Sequence, residues 1–329
     1  MNQTRDVSLG MHMLELEITH GCNLNCQMCY IHNPCSQDMP FLLVSRLIDF
    51  AFEHGVIDLV ITGGEPLLHP DFKAISECVR LRQNSQHSTR VVIQTNGILI
   101  DEKIIPYLRC FDFVHLSFDV VEGQREQTKH VLDRVNLLKQ EGVNCYLFAT
   151  VHPGNVHLID LMVKEAQDKN VAIGFNIIQP QNDRAPVLSK HDFWQISQKL
   201  FELEKTSQIL RHTCPLSAIL TNKMTKTYEG IRGGCTAGVA SCSVLPNGDV
   251  IPCPFFRVVL DNVFASSLEK IWLNNEKLSL IRQRELYDEP CGSCVYLSFC
   301  GGCRSRAYKK SGSFVAADPM CPFVVNDYQ

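Results

Sequence analysis

Three cysteines stand in the spacing C-x3-C-x2-C: Cys22, Cys26 and Cys29, in THGCNLNCQMCY. The segment directly follows an alternating run, LELEIT (Leu14–Thr19), so it reads as a loop at the C-terminal end of a first strand. Three thiolates close together on such a loop can wrap one face of a cubane iron–sulfur cluster and leave its fourth iron without a protein ligand. An open metal position is what a catalytic site needs. Two other readings use the same thiols: a zinc site with Cys35 as the fourth ligand, or a thiol redox site. Zinc motifs more often come as paired C-x2-C hooks.

After the second strand comes TGGEPLL, with Gly63, Gly64 and Glu65. Glycines at a strand end let another group approach the backbone closely, and Glu65 offers a carboxylate to a cationic amine. The same residues could form a plain turn. QTNG (Gln94–Gly97) and LSFD (Leu116–Asp119) close the third and fourth strands in the same way.

The chain holds sixteen cysteines. Cys78, Cys110, Cys145 and Cys214 are isolated and read as small buried hydrophobes. Eight more lie near the C-terminus: Cys235, Cys242, Cys253, Cys291, Cys294, Cys300, Cys303 and Cys321. They follow C-x6-C-x10-C, then C-x2-C-x5-C-x2-C, then one further cysteine. Eight thiols make two full sets of four, suited to structural or electron-carrying sites. Two tetrahedral zinc sites are the alternative.

Taken together, these residues resemble the radical S-adenosylmethionine superfamily: the C-x3-C-x2-C loop after strand one, GGEP after strand two, QTNG and LSFD after strands three and four. NGDVIPCPF and CVYLSFCGGC resemble its SPASM extension. The resemblance implies a partial (β/α)6 barrel followed by a cysteine-rich domain with auxiliary clusters. It implies that S-adenosylmethionine chelates the open iron, with Gly63, Gly64 and Glu65 near its amino group. Ser117 and Asn96 are the candidates for the ribose region, and Arg125 for the carboxylate. It implies three [4Fe–4S] clusters. Cys22, Cys26 and Cys29 would hold the first. Cys235, Cys242, Cys253 and Cys303 would hold the second, and Cys291, Cys294, Cys300 and Cys321 the third. Two positions depart from the family pattern: Met28 stands where an aromatic residue often precedes the third cysteine, and the last paired cysteines are two residues apart rather than three.

The chemistry the resemblance implies is reductive cleavage to a 5′-deoxyadenosyl radical, which takes hydrogen from an unactivated C–H bond. The SPASM group acts mostly on peptides and proteins. The expected substrate is therefore a ribosomal peptide, and the outcome a cross-link, a thioether, an oxidation or an epimerisation. A separate leader-binding protein could present it, and a flavodoxin- or ferredoxin-type protein would supply electrons. The alternatives are the same chemistry on a small molecule (a sugar, alcohol or cofactor precursor) and a non-catalytic zinc or electron-transfer protein. Sulfatase-maturing relatives carry an aspartate after the cysteine that matches Cys253. Pro254 stands here, so formylglycine formation drops in rank. Cys35 and Cys214 are conceivable hydrogen donors and His32 and His152 conceivable bases, but inert burial or surface hydrogen bonding is the more usual role of such residues.

The elements that must position these groups alternate regularly. Strands are expected at Leu14–Thr19, Asp58–Thr62, Val91–Thr95, Phe113–Phe118, Asn144–Thr150 and Val171–Ile178. Helices are expected over Phe41–His54, Asp71–Gln83, Glu102–Leu108, Gln127–Glu141 and Val156–Lys169. Six such units predict a parallel sheet, too few for an eight-fold barrel and consistent with an open one; a doubly wound sheet remains possible. The expected domains are 1–183 for the partial barrel, 184–229 for a helical linker and 230–329 for the auxiliary-cluster domain. Apolar residues make up 45% and the net charge is −4, from 31 basic and 35 acidic side chains. No basic excess exists to neutralise phosphates, so nucleic acid is an unsuited partner. No apolar run approaches the roughly 18 residues of a membrane span. The N-terminus lacks a signal-peptide pattern, and a cytoplasmic location is the expectation. In that compartment disulfides explain the cysteines poorly.

Overall fold

The computed structural model describes residues 10–31, 37–83, 89–120, 125–179, 185–206, 214–220 and 234–324, with only the backbone of Arg125 and Gln127. Among the described residues nine strands form one sheet: β1 (Met13–Thr19), β2 (Asp58–Gly63), β3 (Arg90–Thr95), β4 (Phe113–Ser117), β5 (Cys145–Val151), β6 (Ile173–Ile177), β7 (Ser241–Val244), β8 (Asp249–Ile251) and β9 (Asp261–Asn262). Their order is β6-β5-β4-β3-β2-β1-β7-β8-β9. Strands β1 to β6 pair in parallel in sequence order, as the strand–helix alternation requires. The sheet is an open barrel rather than a closed one, because β6 and β9 stand at opposite edges.

The expected strands all form, with ends shifted by up to two residues. The helices are α1 (Phe41–Glu53), α2 (Phe72–Gln83), α3 (Ile105–Leu108), α4 (Arg125–Gln140), α5 (Ile159–Asp168), α6 (Lys190–Lys205), α7 (Ser217–Leu220), α8 (Leu268–Asn274), α9 (Glu276–Arg282) and α10 (Arg304–Ser311). Gly55 and Gly142 follow α1 and α4 with positive φ, the left-handed turn that ends a helix at little steric cost. The helix expected over Val156–Lys169 divides into a 3-10 turn, Val156–Leu158, and α5.

One sheet face is largely apolar. Leu14, Leu16, Ile18, Leu59, Ile61, Ile93, Leu116, Leu147, Ala149 and Phe175 are all fully buried there. The face between them carries Glu15, Glu17, Thr62, Gln94, His115, Ser117, Tyr146, Thr150 and Asn176, with Val60, Val92, Phe113 and Phe148 among them. The register joins Glu17 to Thr62, Gln94 to His115, His115 to Tyr146 and Thr150 to Asn176 across neighbouring strands. Side chains alternate with period two, so one face is the apolar core side and the other carries most of the polar side chains.

Strand β7 extends the sheet from β1, in parallel, with Leu14 opposite Cys242 and Leu16 opposite Val244. The C-terminal region is thus hydrogen-bonded to the strand that leads into the first cysteine loop. Helix α6 ties down the chain's far end: Trp194 Nε1 donates to the Met320 carbonyl at 2.8 Å and Lys190 Nζ to the Val324 carbonyl at 2.8 Å. Ser189 caps α6 by accepting from the Asp192 N–H. Much of the expected helical linker 184–229 beyond α6 lies outside the described residues.

Candidate active site

The loop after β1 is fastened at its stem. Thr19 Oγ1 donates to Asp38 Oδ1 at 2.6 Å and accepts the Gly21 N–H at 2.9 Å. The turn after β2 packs directly on this stem. Gly64 N–H donates to the Thr19 carbonyl at 2.7 Å and Glu65 N–H to the Gly21 carbonyl at 2.8 Å. A β-carbon on Gly63 would lie 2.3 Å from the Thr19 carbonyl oxygen, and one on Gly64 2.3 Å from that of Gly21. Gly63 also has a φ of 149°, which other residues rarely adopt. The two glycines therefore let backbone meet backbone, and they join the cysteine loop to the GGE turn.

Glu65 carries the junction onward. Fully buried, its carboxylate accepts from Thr95 Oγ1 at 2.7 Å, Asn96 N–H at 2.9 Å and Leu67 N–H at 3.1 Å. Burial raises its pKa, and those three donors oppose the rise by stabilising the anion. Asn96 Nδ2 then donates to Asn23 Oδ1 at 2.8 Å, inside the cysteine loop. One hydrogen-bonded circuit joins the loop of Cys22, Cys26 and Cys29 to the ends of β2 and β3.

Cys26 is exposed, while Cys22 and Cys29 are half-buried. Partial loss of hydration beside the surrounding protein, then the charge of Asp119 and the neighbouring thiols, push Cys26 up to about 11; Cys22 rises mainly by the same loss of hydration. A positive centre such as a bound metal would lower such thiols and favour their thiolate forms. Ser117 ends β4, half-buried on the polar face. Asp119, two residues on, accepts the Thr150 N–H at 2.7 Å, and burial pushes its pKa up to about 6. Arg125 opens α4, but its side chain lies outside the described residues, as do Cys35 and His32. His152 follows β5 and is buried; its Nδ1 accepts from the Gly154 N–H, and its Nε2 has no partner among the described residues.

A polar group not anticipated from the motifs sits beside this site. Arg257 grips Glu17 with two hydrogen bonds, 2.9 and 3.1 Å, and lies over the Tyr30 ring at 5.6 Å. His20 Nε2 stands 3.1 Å from Glu17 Oε2. Burial, reinforced by Glu17 and opposed by Arg257, pushes Glu15 up to about 8. The signal was present in LELEIT: the two glutamates occupy every second position of a strand whose other face is core.

In the C-terminal region Cys291, Cys294, Cys300 and Cys321 line a single cavity with Gly301 and Gly302. Both glycines have positive φ, and a β-carbon on Gly302 would strike Asp318 Cβ at 2.7 Å. A second set forms around Cys253, which burial holds well above the usual thiol value, with Cys235 and Cys303 adding to the rise. Asp318 stands beside both sets. It accepts the Cys303 N–H at 2.7 Å and pairs with Arg306 at 2.6 Å. Burial would raise its pKa, but Arg306 wins and holds it below the carboxylate range.

Cys242, expected in the set with Cys235, Cys253 and Cys303, lies on β7 opposite Leu14. It is fully buried in the apolar core, and the charges that act on its thiol are those of Arg282 and Glu15. Of the four isolated cysteines, Cys78, Cys110 and Cys214 are buried and Cys145 is half-buried. No three His, Cys, Asp or Glu side chains among the described residues stand close enough to share one ion. The all-thiol donor sets fit iron–sulfur clusters, in which each iron takes its own thiolate.

Comparison with known proteins agrees with this arrangement. Residues 16–157 match the model of the radical SAM superfamily, and residues 235–295 match that of SPASM, an iron–sulfur cluster-binding domain. The chain belongs to the radical SAM superfamily and carries a SPASM domain. Among similar proteins, the AdoMet-dependent heme synthase of Methanosarcina barkeri is 27% identical, over 94% of this chain and 95% of that protein. The PqqA peptide cyclase of Granulibacter bethesdensis is 25% identical, over 93% of this chain and 85% of that protein. The fold is similar to that of Streptococcus suis SuiB bound to S-adenosylmethionine, with TM-score 0.79 and 18% identity over 95% of this chain and 77% of SuiB. As a radical SAM protein the chain uses S-adenosylmethionine and a [4Fe–4S] cluster, and its SPASM domain binds further iron–sulfur centres. No helix among the described residues is long and apolar enough to cross a membrane.

Proposed function

We propose that this chain cleaves S-adenosylmethionine reductively and abstracts hydrogen from a substrate held against the polar face of the open barrel. The observation that carries the reading is the circuit Gly21–Glu65–Asn96–Asn23, which fixes the three-cysteine loop against the ends of β2 and β3. When bound, the cluster and its nucleotide supply the 5′-deoxyadenosyl radical. The chain's own residues position that chemistry. Cys22, Cys26 and Cys29 hold the cluster, and Gly63, Gly64 and Glu65 shape the amino-group end of the cofactor site. Asn96 and Ser117 serve the ribose region, and Arg125 the carboxylate. The C-terminal cysteines would hold two auxiliary clusters, making three [4Fe–4S] clusters in all, and these would offer an acceptor for the electron that leaves the substrate.

The substrate we put first is a ribosomally made peptide, supported by the SPASM signature and by the likeness to a PqqA peptide cyclase. Cross-link, thioether, oxidation and epimerisation are the candidate outcomes. A separate leader-binding protein would present the peptide, a flavodoxin- or ferredoxin-type protein would reduce the cluster, and the cytoplasm would house the reaction. A second reading, a small-molecule substrate of the haem-precursor kind, is favoured by the heme synthase that matches this chain over 95% of its own length.

Anaerobically prepared protein should contain about twelve irons. With dithionite and S-adenosylmethionine it should release 5′-deoxyadenosine, and Cys26→Ala should abolish the release. Bound zinc with almost no iron would reject the enzyme. Mass spectrometry of neighbouring-gene peptides co-expressed with the chain separates the two substrate classes: a loss of two mass units, or deuterium uptake from solvent, supports the peptide. Turnover of a porphyrin precursor with every peptide unchanged supports the small molecule.

A further inference from the structure

Arg304, the first residue of α10, is the largest of the fully buried side chains, 1% exposed. Its Nη1 donates to the Ala316 carbonyl at 2.8 Å and to that of Phe314 at 3.4 Å. Its guanidinium carbon lies 4.1 Å from the centre of the Tyr287 ring, whose hydroxyl is turned away to the Ile281 carbonyl. Nε and Nη2 are buried with no partner among the described residues. No carboxylate among the described residues pairs with Arg304, and Asp318, nearby, is taken by Arg306. A buried cation that lacks a counter-charge is strongly destabilising, and buried N–H groups left unmade call for a partner.

The place of the unpaired atoms says what that partner is. A β-carbon on Gly302 would lie 3.0 Å from Arg304 Nη2, and Gly302 lines the cavity of Cys291, Cys294, Cys300 and Cys321. Only a glycine therefore stands between the guanidinium and the four-thiol cavity, and its own N–H donates to Cys300 Sγ at 3.3 Å. Burial raises the Cys291 thiol, and the charge of Arg304 is the first influence that opposes the rise. Burial raises Cys300 and Cys321 too, and there Asp318 adds to it. A cluster ligated by four thiolates is an anion, and gains negative charge when reduced. A fixed cation and N–H donors beside it favour the reduced form, because net charge and hydrogen bonds to sulfur set its potential. Arg284 backs the neighbouring Gly301, but its Nη1 donates to the Leu297 and Ser298 carbonyls, both at 2.9 Å, and so braces the loop before Cys300.

We propose that Arg304 is the buried counter-ion of the cluster that Cys291, Cys294, Cys300 and Cys321 would hold, with Nε and Nη2 as its hydrogen-bond donors, and that its charge raises the potential at which this cluster takes up an electron. The proposal rests on the cluster reading above and adds to it a residue that is no ligand. It accounts for an arginine in a place where the fold supplies no carboxylate: the counter-charge arrives with the cluster. It also gives the C-terminal region a way to favour uptake of an electron at the set of Cys291, Cys294, Cys300 and Cys321.

The test uses the full chain with Cys22, Cys26 and Cys29 changed to Ala, reconstituted anaerobically, so that only auxiliary clusters contribute. This parent should hold about eight irons. A redox titration followed by paramagnetic resonance should resolve two reductions, and Cys294→Ser should alter the one that belongs to the set beside Arg304. Arg304→Gln should keep about eight irons and lower the potential of that reduction alone. At the parent's midpoint its ratio of reduced to oxidised cluster should fall about tenfold, a shift of about 59 mV for one electron. Arg304→Lys, which keeps a cation, should move it far less. An unmoved potential in iron-loaded Arg304→Gln, or an equal shift in Arg304→Lys, overturns the counter-ion. If Arg304→Gln loses about four irons, Arg304→Lys decides: keeping its iron supports the charge, and losing it overturns the proposal. A parent without iron overturns the cluster reading itself and is told apart from the other outcomes by that fact.

Discussion

Gly64→Ala isolates the junction between the GGE turn and the cysteine loop. Gly64 has no positive φ, so alanine can adopt its backbone conformation, and the only obstacle is space. The new methyl would lie 2.3 Å from the Gly21 carbonyl oxygen, 2.7 Å from its carbon and 2.9 Å from the His20 carbonyl oxygen. These are backbone atoms, which cannot swing aside as a side-chain tip can. Ordinary carbon–oxygen contact is about 3.3 Å, so the two segments must separate by about 1 Å. Overpacking of this kind costs about 1–3 kcal/mol. The larger effect falls on function, because a shift of about 1 Å between reacting groups can lower a rate by about 100-fold. The same Gly21 carbonyl accepts the Glu65 N–H, so the circuit through Asn96 to Asn23 loosens as well. Cleavage of S-adenosylmethionine by the dithionite-reduced protein, followed as 5′-deoxyadenosine, should fall by about two orders of magnitude while iron content stays near that of the parent. A variant that cleaves at the parent's rate would refute the inference that backbone contact sets the geometry of this site.

Three further outcomes are expected. Glu65→Gln places an amide N–H where the carboxylate now accepts from Asn96 or from Leu67 and Thr95; a buried donor left facing a donor costs about 1–3 kcal/mol, read as a lower thermal midpoint at unchanged iron content. Glu15 has its pKa raised from 4.5 to about 8, so the folded state favours the protonated form. Its contribution weakens as pH rises from about 4.5 towards 8, where the unfolded chain has lost the proton and the folded chain still binds it. Glu15→Gln should flatten that decline and raise stability at neutral pH, and melting curves across the range check it. Asp318→Asn strips the buried Arg306 of its counter-charge, which costs about 3–5 kcal/mol; with Asp318 also holding the Cys303 N–H, iron should be lost from the C-terminal sites, as measured by colorimetric assay.

Much of this architecture is legible in local sequence. The β1–β6 alternation follows from short apolar runs separated by helical periods, and Gly55 and Gly142 mark helix ends because only glycine takes the left-handed turn without strain. The cysteine loop, GGE and QTNG are contiguous motifs, and the structure brings all three to one place. What local pattern does not carry is pairing across the chain. The glycines of GGE look like room for a ligand, yet they first make room for Thr19 and Gly21, more than forty residues earlier. Arg257 meets Glu17 across a separation of 240 residues, with no motif to announce it. The surroundings of Cys242 are equally hidden: its place opposite Leu14, fully buried, depends on the β1–β7 register.

That register also bears on how the chain is made. The partner of Met13 is Ser241, so the flank of β1 away from β2 stays bare until more than two hundred further residues have left the ribosome. During that interval the nascent barrel presents an uncovered edge with Leu14 and Leu16 in it, a ready template for sticking to other chains. A fragment ending before β7 should self-associate, and efficient production of the intact protein should depend on holdase chaperones or slow, cool synthesis.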